Sequence, residues 1–89
     1  MARTEKVTRV IDGDTFETAS RKHPVRLANV DTPEKGQPGY VEAKEALGRL
    51  IEGKVVVIDT KARDVYGRSV ANVTADGRSV NASMKRHGK

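Results

Sequence analysis

The chain has 89 residues, no cysteine, 3% aromatic residues and a formal net charge of +5. That length holds a single domain, residues 1–89, with a limited core, and the lack of cysteine excludes disulfides, thiolate zinc sites and a thiol nucleophile. The cationic balance favours polyanionic partners; no apolar run approaches the ~18 residues of a membrane span, so no membrane partner is expected.

Taken in chain order, residues 5–12 are rich in Val, Thr and Ile and predict a strand. Asp12-Gly13 is a hairpin signal, and residues 15–18 are the returning strand. A polar turn at residues 20–24 precedes a third strand, residues 25–30, which Pro33 ends. Residues 35–39 read as a flexible loop. A helix over residues 40–52 presents Ala43, Ala46, Leu47, Leu50 and Ile51 on one face, and Gly53 stops it. Val55-Val56-Val57-Ile58 predicts a strand buried on both faces, followed by a charged loop over residues 60–65. Residues 67–75 form another strand, residues 75–78 a turn, and Asn81 is the expected cap of a short terminal helix. The predicted class is mainly β with helices (α+β). Five short strands with one helix between strands 3 and 4 match the five-stranded Greek-key barrel known as the OB-fold. The core is expected to be mainly Val, Ile, Leu and Ala.

The chemistry-bearing residues sit near element ends. Asp14 follows the hairpin turn, Asp31 ends the third strand and Glu34 lies just beyond it. If these acids converge, each raises the others' proton affinity, and a cation relieves the repulsion. Calcium suits such hard oxygen donors, whereas zinc is disfavoured without Cys or paired His. Asp12 reads as a turn-former, Asp14 as a ligand, and Thr32-Pro33-Glu34 equally as a loop or helix start. Arg26, inside an apolar strand, needs either a salt bridge within the barrel or a phosphate to clamp. Arg68 follows Tyr66-Gly67 and on its own reads as a solvated turn arginine. Together, three carboxylates and two guanidiniums could bind a divalent ion and a phosphodiester.

In this order and spacing, these segments resemble the thermonuclease (staphylococcal or micrococcal nuclease-like) family. The matching stretches are Ile11-Asp12-Gly13-Asp14-Thr15, Val25-Arg26-Leu27 and Val30-Asp31-Thr32-Pro33-Glu34. Further on come Glu42-Ala43, Gly53-Lys54-Val55, Asp64 with Tyr66-Gly67-Arg68, Ala71, Asp76-Gly77 and Val80-Asn81. The resemblance implies an OB-fold barrel and a calcium-dependent nuclease, monomeric, acting on single-stranded DNA and RNA. It implies that Asp14 and Asp31 ligate Ca2+ by carboxylate and Thr32 by its backbone carbonyl. By the same resemblance Glu34 is the general base, Arg26 and Arg68 stabilise the transition state, and Arg26, Tyr66 and Arg68 bind the substrate.

The chain also departs from the family. Val65 stands where the type nuclease has a phosphate-touching lysine, so one phosphate contact is expected to be missing. The loop between Glu34 and the helix is short. Family members continue into a further helix near base-stacking tyrosines, which this sequence lacks, so weaker substrate binding and lower stability are expected.

Other signals fail on context. Gly48 to Lys54 has P-loop spacing, but Val55 replaces the Ser or Thr and the order runs helix to strand. Asn72-Val73-Thr74 and Asn81-Ala82-Ser83 are chance-level acceptor triplets, and His23 and His87 have no partner at metal spacing. Nothing apolar follows the first six residues as in a secretory signal; secreted and cytoplasmic locations both stay open. The rival to a nuclease is a non-catalytic OB-fold module that binds nucleic acid. A protein-interaction domain is a third reading, for which the charged set offers no reason.

Overall fold

The computed structural model describes residues 2–88. Strand β1 (Ala2–Asp12) turns at Gly13 and Asp14 into β2 (Thr15–Thr18), which pairs antiparallel with it. Strand β3 (Val25–Leu27) runs back beside β2, with Arg26 opposite Thr15. Helix α1 (Tyr40–Ile51) then leads to β4 (Val55–Arg63), which pairs with the other edge of β1. Strand β5 (Ser69–Ala75) pairs antiparallel with β4 and parallel with β3. That last pairing closes the sheet, so the five main strands form an OB-fold barrel in an α+β domain. A two-residue strand, β6 (Arg78–Ser79), extends the β5 hairpin into helix α2 (Val80–Met84) and a final 3-10 turn, Lys85–His87.

Alternation explains the core. Val25 and Leu27 on β3, and Ala71 and Val73 on β5, point inward and are buried. Phe16 and Met84 join the expected aliphatic residues in the cluster. Helix α1 contributes Ala43, Ala46, Leu47 and Ile51, the predicted face, with Leu50 packed at its margin. At Gly53 the backbone has φ +75°, a left-handed conformation that suits glycine and ends the helix.

Four local expectations are corrected. The third strand stops at Leu27, because Ala28 and Asn29 make a turn in which Asn29 has φ 60°. Strand β4 is buried on one face only: Val56 and Ile58 are inside, while Val55 and Val57 are exposed. The residues read as a charged loop continue β4 to Arg63, because Ala62 and Arg63 pair with Val70 and Ser69 across a bulge. Asn81 is not the helix cap; Ser79 accepts the Ala82 N–H at 3.1 Å. Asn81 is buried in α2, where its Oδ1 accepts from Val73 N–H at 2.8 Å and its Nδ2 donates to Ala28 and Ala71 carbonyls. It pins the turn after β3 to β5 and α2.

The end of the barrel away from the β1–β2 turn is plugged by a polar network. Glu5 is buried on the same inward face as Val7. Its carboxylate accepts from Thr18 at 2.8 Å, Ser20 at 3.0 Å and Arg21 Nε at 2.8 Å, with Arg21 Nη2 at 2.7 Å. Arg21 Nη1 also donates to the hydroxyls of Ser69 at 2.8 Å and Thr60 at 3.3 Å. Burial alone would raise the Glu5 pKa, but the bonds from Arg21, Thr18 and Ser20 hold it below its ordinary 4.5. The inward position of a glutamate in the alternation of β1 was the available sequence signal for this network.

Candidate active site

The β1–β2 turn carries Asp14 to the edge of the barrel. Gly13 is needed there for space: a Cβ would lie 2.6 Å from the Ala43 Cβ and 2.8 Å from Thr32 Oγ1. The hairpin tip is thereby seated directly on α1 and on the segment after β3. Tyr40, the first residue of α1, reinforces this seat with its hydroxyl 2.9 Å from Asp12 Oδ1 and 3.2 Å from the Ile11 carbonyl. Its bond to Asp12 and its partial desolvation raise the phenol pKa. Asp12 thus ties the hairpin to α1.

Asp14 is buried, and both its oxygens are engaged. Oδ1 accepts from the Thr15 hydroxyl at 2.9 Å, and Oδ2 from the Thr32 backbone N–H at 3.3 Å. Arg26 Nη2 stands 3.4 Å from Asp14 Oδ2 and 3.8 Å from Asp31 Oδ1, while its Nη1 donates to the Leu27 carbonyl at 3.0 Å. Arg26 does not enter the barrel. Its strand neighbours Val25 and Leu27 take the inward positions, and the guanidinium lies on the outer face between the two acids. The structure therefore brings together Asp14, Arg26, Asp31 and Thr32, residues separated by up to 18 positions in the chain.

The arrangement is loosely closed. Asp31 is exposed, with 71% of its side chain accessible, and its distance to Arg26 is at the long end for an ion pair. The Thr32 hydroxyl is buried and has no hydrogen-bond partner among the described residues. Two carboxylates that approach the same Arg26 nitrogen are hard oxygen donors of the kind calcium takes. Among the described residues no group of three or more His, Cys, Asp or Glu side chains is gathered at metal-binding range, so the expected convergence of Glu34 with Asp14 and Asp31 is corrected. Any such ion would therefore draw on backbone oxygens and water besides Asp14 and Asp31.

Glu34 lies three residues beyond Asp31 and is exposed. Its backbone is shaped by Gln37, whose side-chain oxygen accepts the Glu34 N–H at 2.8 Å and whose own N–H donates to the Glu34 carbonyl at 2.9 Å. Arg68 precedes β5 by one residue, two positions before Val70, which pairs with Arg26. Since Ser69 and Ala71 are buried, Arg68 and Arg26 share the outer face of the β3–β5 pair. Asp64 holds Arg68 in place: Arg68 Nε lies 2.6 Å from Asp64 Oδ2, and Oδ1 accepts the Tyr66 and Arg68 backbone N–H groups at 3.0 Å each. Partial desolvation opposes ionisation of Asp64, but these bonds outweigh it and keep its pKa below the ordinary 3.8. The Arg68 guanidinium sits 5.3 Å from the centroid of the exposed Tyr66 ring. Among the described residues it bonds through Nε alone, so its Nη groups keep their donors. Val65 is 93% exposed and gives this turn no cation.

This site is an open face rather than a deep pocket. A concavity of about 1140 Å³ lies between α1 and β1, lined by Arg9, Lys44 and Arg49 among others, and excludes Asp14, Arg26, Asp31 and Thr32.

The model of the family described as staphylococcal nuclease homologue matches residues 24–89. An uncharacterized endonuclease of Escherichia coli O157:H7 is 41% identical over 86 residues, covering 93% of this chain and 56% of that protein. An uncharacterized endonuclease of Haemophilus influenzae is 33% identical over 88 residues, covering 96% and 49%. A micrococcal nuclease of Shigella flexneri is 36% identical over 72 residues, covering 79% and 41%. The chain spans about half the length of these curated relatives.

Proposed function

We propose that this chain, which belongs to the staphylococcal nuclease homologue family, hydrolyses phosphodiester bonds of single-stranded DNA and RNA in a calcium-dependent reaction, as a monomer. The observation that supports this most is the open Asp14–Arg26–Asp31 cluster, in which one guanidinium nitrogen faces two carboxylates without tight contact to either. The nuclease names of the relatives agree with it.

Asp14, Asp31 and the Thr32 backbone carbonyl would hold Ca2+, and the bound ion would polarise a phosphoryl oxygen and lower the pKa of a coordinated water. Glu34 takes the proton of the attacking water as that oxygen bonds to phosphorus and one ester P–O bond breaks, the leaving oxygen taking its proton from solvent water. Negative charge grows on the phosphoryl oxygens as this happens. Arg26 on β3 and Arg68 just before β5, with donors to spare, stabilise that charge. Arginine suits this role because its planar fork can give two parallel hydrogen bonds to a phosphate. It does not serve as an acid, since a guanidinium stays protonated in proteins. Tyr66, exposed beside Arg68, offers its ring to the substrate.

The test is a comparison of labelled single-stranded DNA incubated with the protein in calcium and in chelator. Cleavage in calcium and none in chelator is the expected result. Replacing the base should lower the rate by roughly 10²–10⁴-fold, so Glu34→Gln should be nearly inactive while its circular dichroism spectrum and unfolding midpoint match the parent. A Glu34→Gln rate equal to the parent's would remove Glu34 from its assigned role.

A further inference from the structure

A second concavity, about 420 Å³, opens over the plugged end of the barrel. Its floor is Arg21 with Glu5, and there the two charges compensate each other at 2.7 Å. Its rim is different. Arg3, Lys22 and Arg63 line it, and among the described residues none of the three forms an ion pair. Glu5 is the lone carboxylate of the lining, already matched by Arg21. Uncompensated cations gathered around a concavity repel one another and focus a positive field into it. An anion entering there relieves the repulsion and meets several N–H donors.

The position of the pocket indicates which anion. Arg63 Nη1 donates to the Gly67 carbonyl at 3.2 Å, tying the rim to the turn that presents Tyr66 and Arg68. His23, also in the lining, packs on the other side of the same turn: a Cβ at Gly67 would stand 3.6 Å from its ring. The Ser69 N–H donates to the Pro24 carbonyl at 3.1 Å, joining the two segments at the start of β5. Arg26, Arg68 and the rim thus follow one another along the outer face of β3 and β5 and round the barrel end.

We infer that this pocket holds a backbone phosphate of a single strand of nucleic acid, remote from the phosphate that lies at Arg26 and Arg68. The inference rests on the nuclease reading and deepens it by adding a second anchoring point for the substrate. Such an anchor positions the strand without reading its sequence. It also supplies affinity on the side of the turn where Val65 brings no charge.

The experiment compares three proteins: the parent, Lys22→Ala/Arg63→Ala, and Lys44→Ala/Arg49→Ala, which removes two exposed charges from α1. Fluorescence anisotropy in chelator gives the affinity for a dinucleotide and for an oligonucleotide of about ten nucleotides, within the range a single OB-fold covers. The slope of log K against log salt should fall by about 0.7 for each phosphate that the protein no longer neutralises. The expected result is that Lys22→Ala/Arg63→Ala lowers the affinity and salt slope for the longer strand and leaves the dinucleotide unchanged. The α1 variant should leave both closer to the parent. Equal reductions in the two double variants would mean that only net charge matters and would overturn the inference. So would a dinucleotide affinity reduced to the same extent, because the pocket would then belong to the reacting phosphate. Titration with inorganic phosphate, followed by NMR shifts of Lys22 and His23, separates a strand from a free anion. Saturation by phosphate with no shift on adding the oligonucleotide also overturns it. A parent that binds the oligonucleotide but never cleaves in calcium defeats the nuclease reading and leaves the pocket standing. A parent that cleaves with a rim variant indistinguishable from it defeats the pocket alone.

Discussion

Two arginine–carboxylate clusters lie at opposite ends of the β1–β2 hairpin, built from the same chemical parts and finished differently. At the plugged end Arg21 meets Glu5 at 2.7 Å, and hydroxyls of Thr18, Ser20, Thr60 and Ser69 complete the network. At the open end Arg26 stands 3.4 Å from Asp14 and 3.8 Å from Asp31, and a buried Thr32 hydroxyl has no partner among the described residues. A charge pair that satisfies its neighbours has little left for a ligand. One that holds an exposed acid at 3.8 Å from its guanidinium leaves that acid and the arginine open to new partners. Satisfaction of the surrounding hydrogen bonds, more than residue type, separates a structural ion pair from a candidate site.

The sharpest way to break this contrast is to remove one arginine at each end. Arg21→Met leaves Glu5 charged and buried without its counterion and should destabilise the fold by about 3–5 kcal/mol, measured by urea unfolding. Arg26→Met should act mainly on chemistry, lowering the cleavage rate by roughly 10²–10³-fold, with a smaller loss of stability than Arg21→Met in the same urea assay. If Arg26→Met were the more destabilising of the two, the open cluster would be structural after all. Gly13→Ala probes the seat of the open end. Its Cβ would push against Ala43 and Thr32, at a cost of about 1–3 kcal/mol, and displacing Asp14 should weaken calcium binding measured by calorimetry.

Acid should separate the two ends more gently. The folded-state pKa of Glu5 is lowered, so its contribution to stability is present above its ordinary 4.5 and is lost as pH falls through the folded value. Asp64, lowered from 3.8 by Arg68 and two backbone N–H groups, acts in the same direction over a lower window. The urea midpoint should therefore drop as the pH is taken below 4.5, and Glu5→Gln should flatten the upper part of that drop. An unchanged pH profile in Glu5→Gln would mean that the plug does not depend on the ionised glutamate.

Much of the open end was legible in the chain because its residues carry local signals. A two-residue turn announced the hairpin and a proline marked the end of the segment holding Asp31; Asp14, Arg26 and Asp31 meet, but the expected convergence of Glu34 with the two aspartates is not found among the described residues. The closed end was not legible: Arg21 reads as a turn residue, and its partners lie up to 48 positions away. Asn81 failed for a related reason. A local rule makes it a helix cap, but the backbone groups it satisfies lie on β5 and in the turn after β3, as much as 53 positions distant.

Alternation of apolar residues, glycines at turns and the periodicity of α1 determined, from the sequence alone, a small barrel with one crossing helix. They also set which acids and arginines fall at element ends. Only the tertiary structure decided which of those charges would be consumed internally. Strand register and the parallel closure of β3 on β5 set the distances between charges, and hydrogen bonds and ion pairs depend on distance and angle far more steeply than hydrophobic burial does.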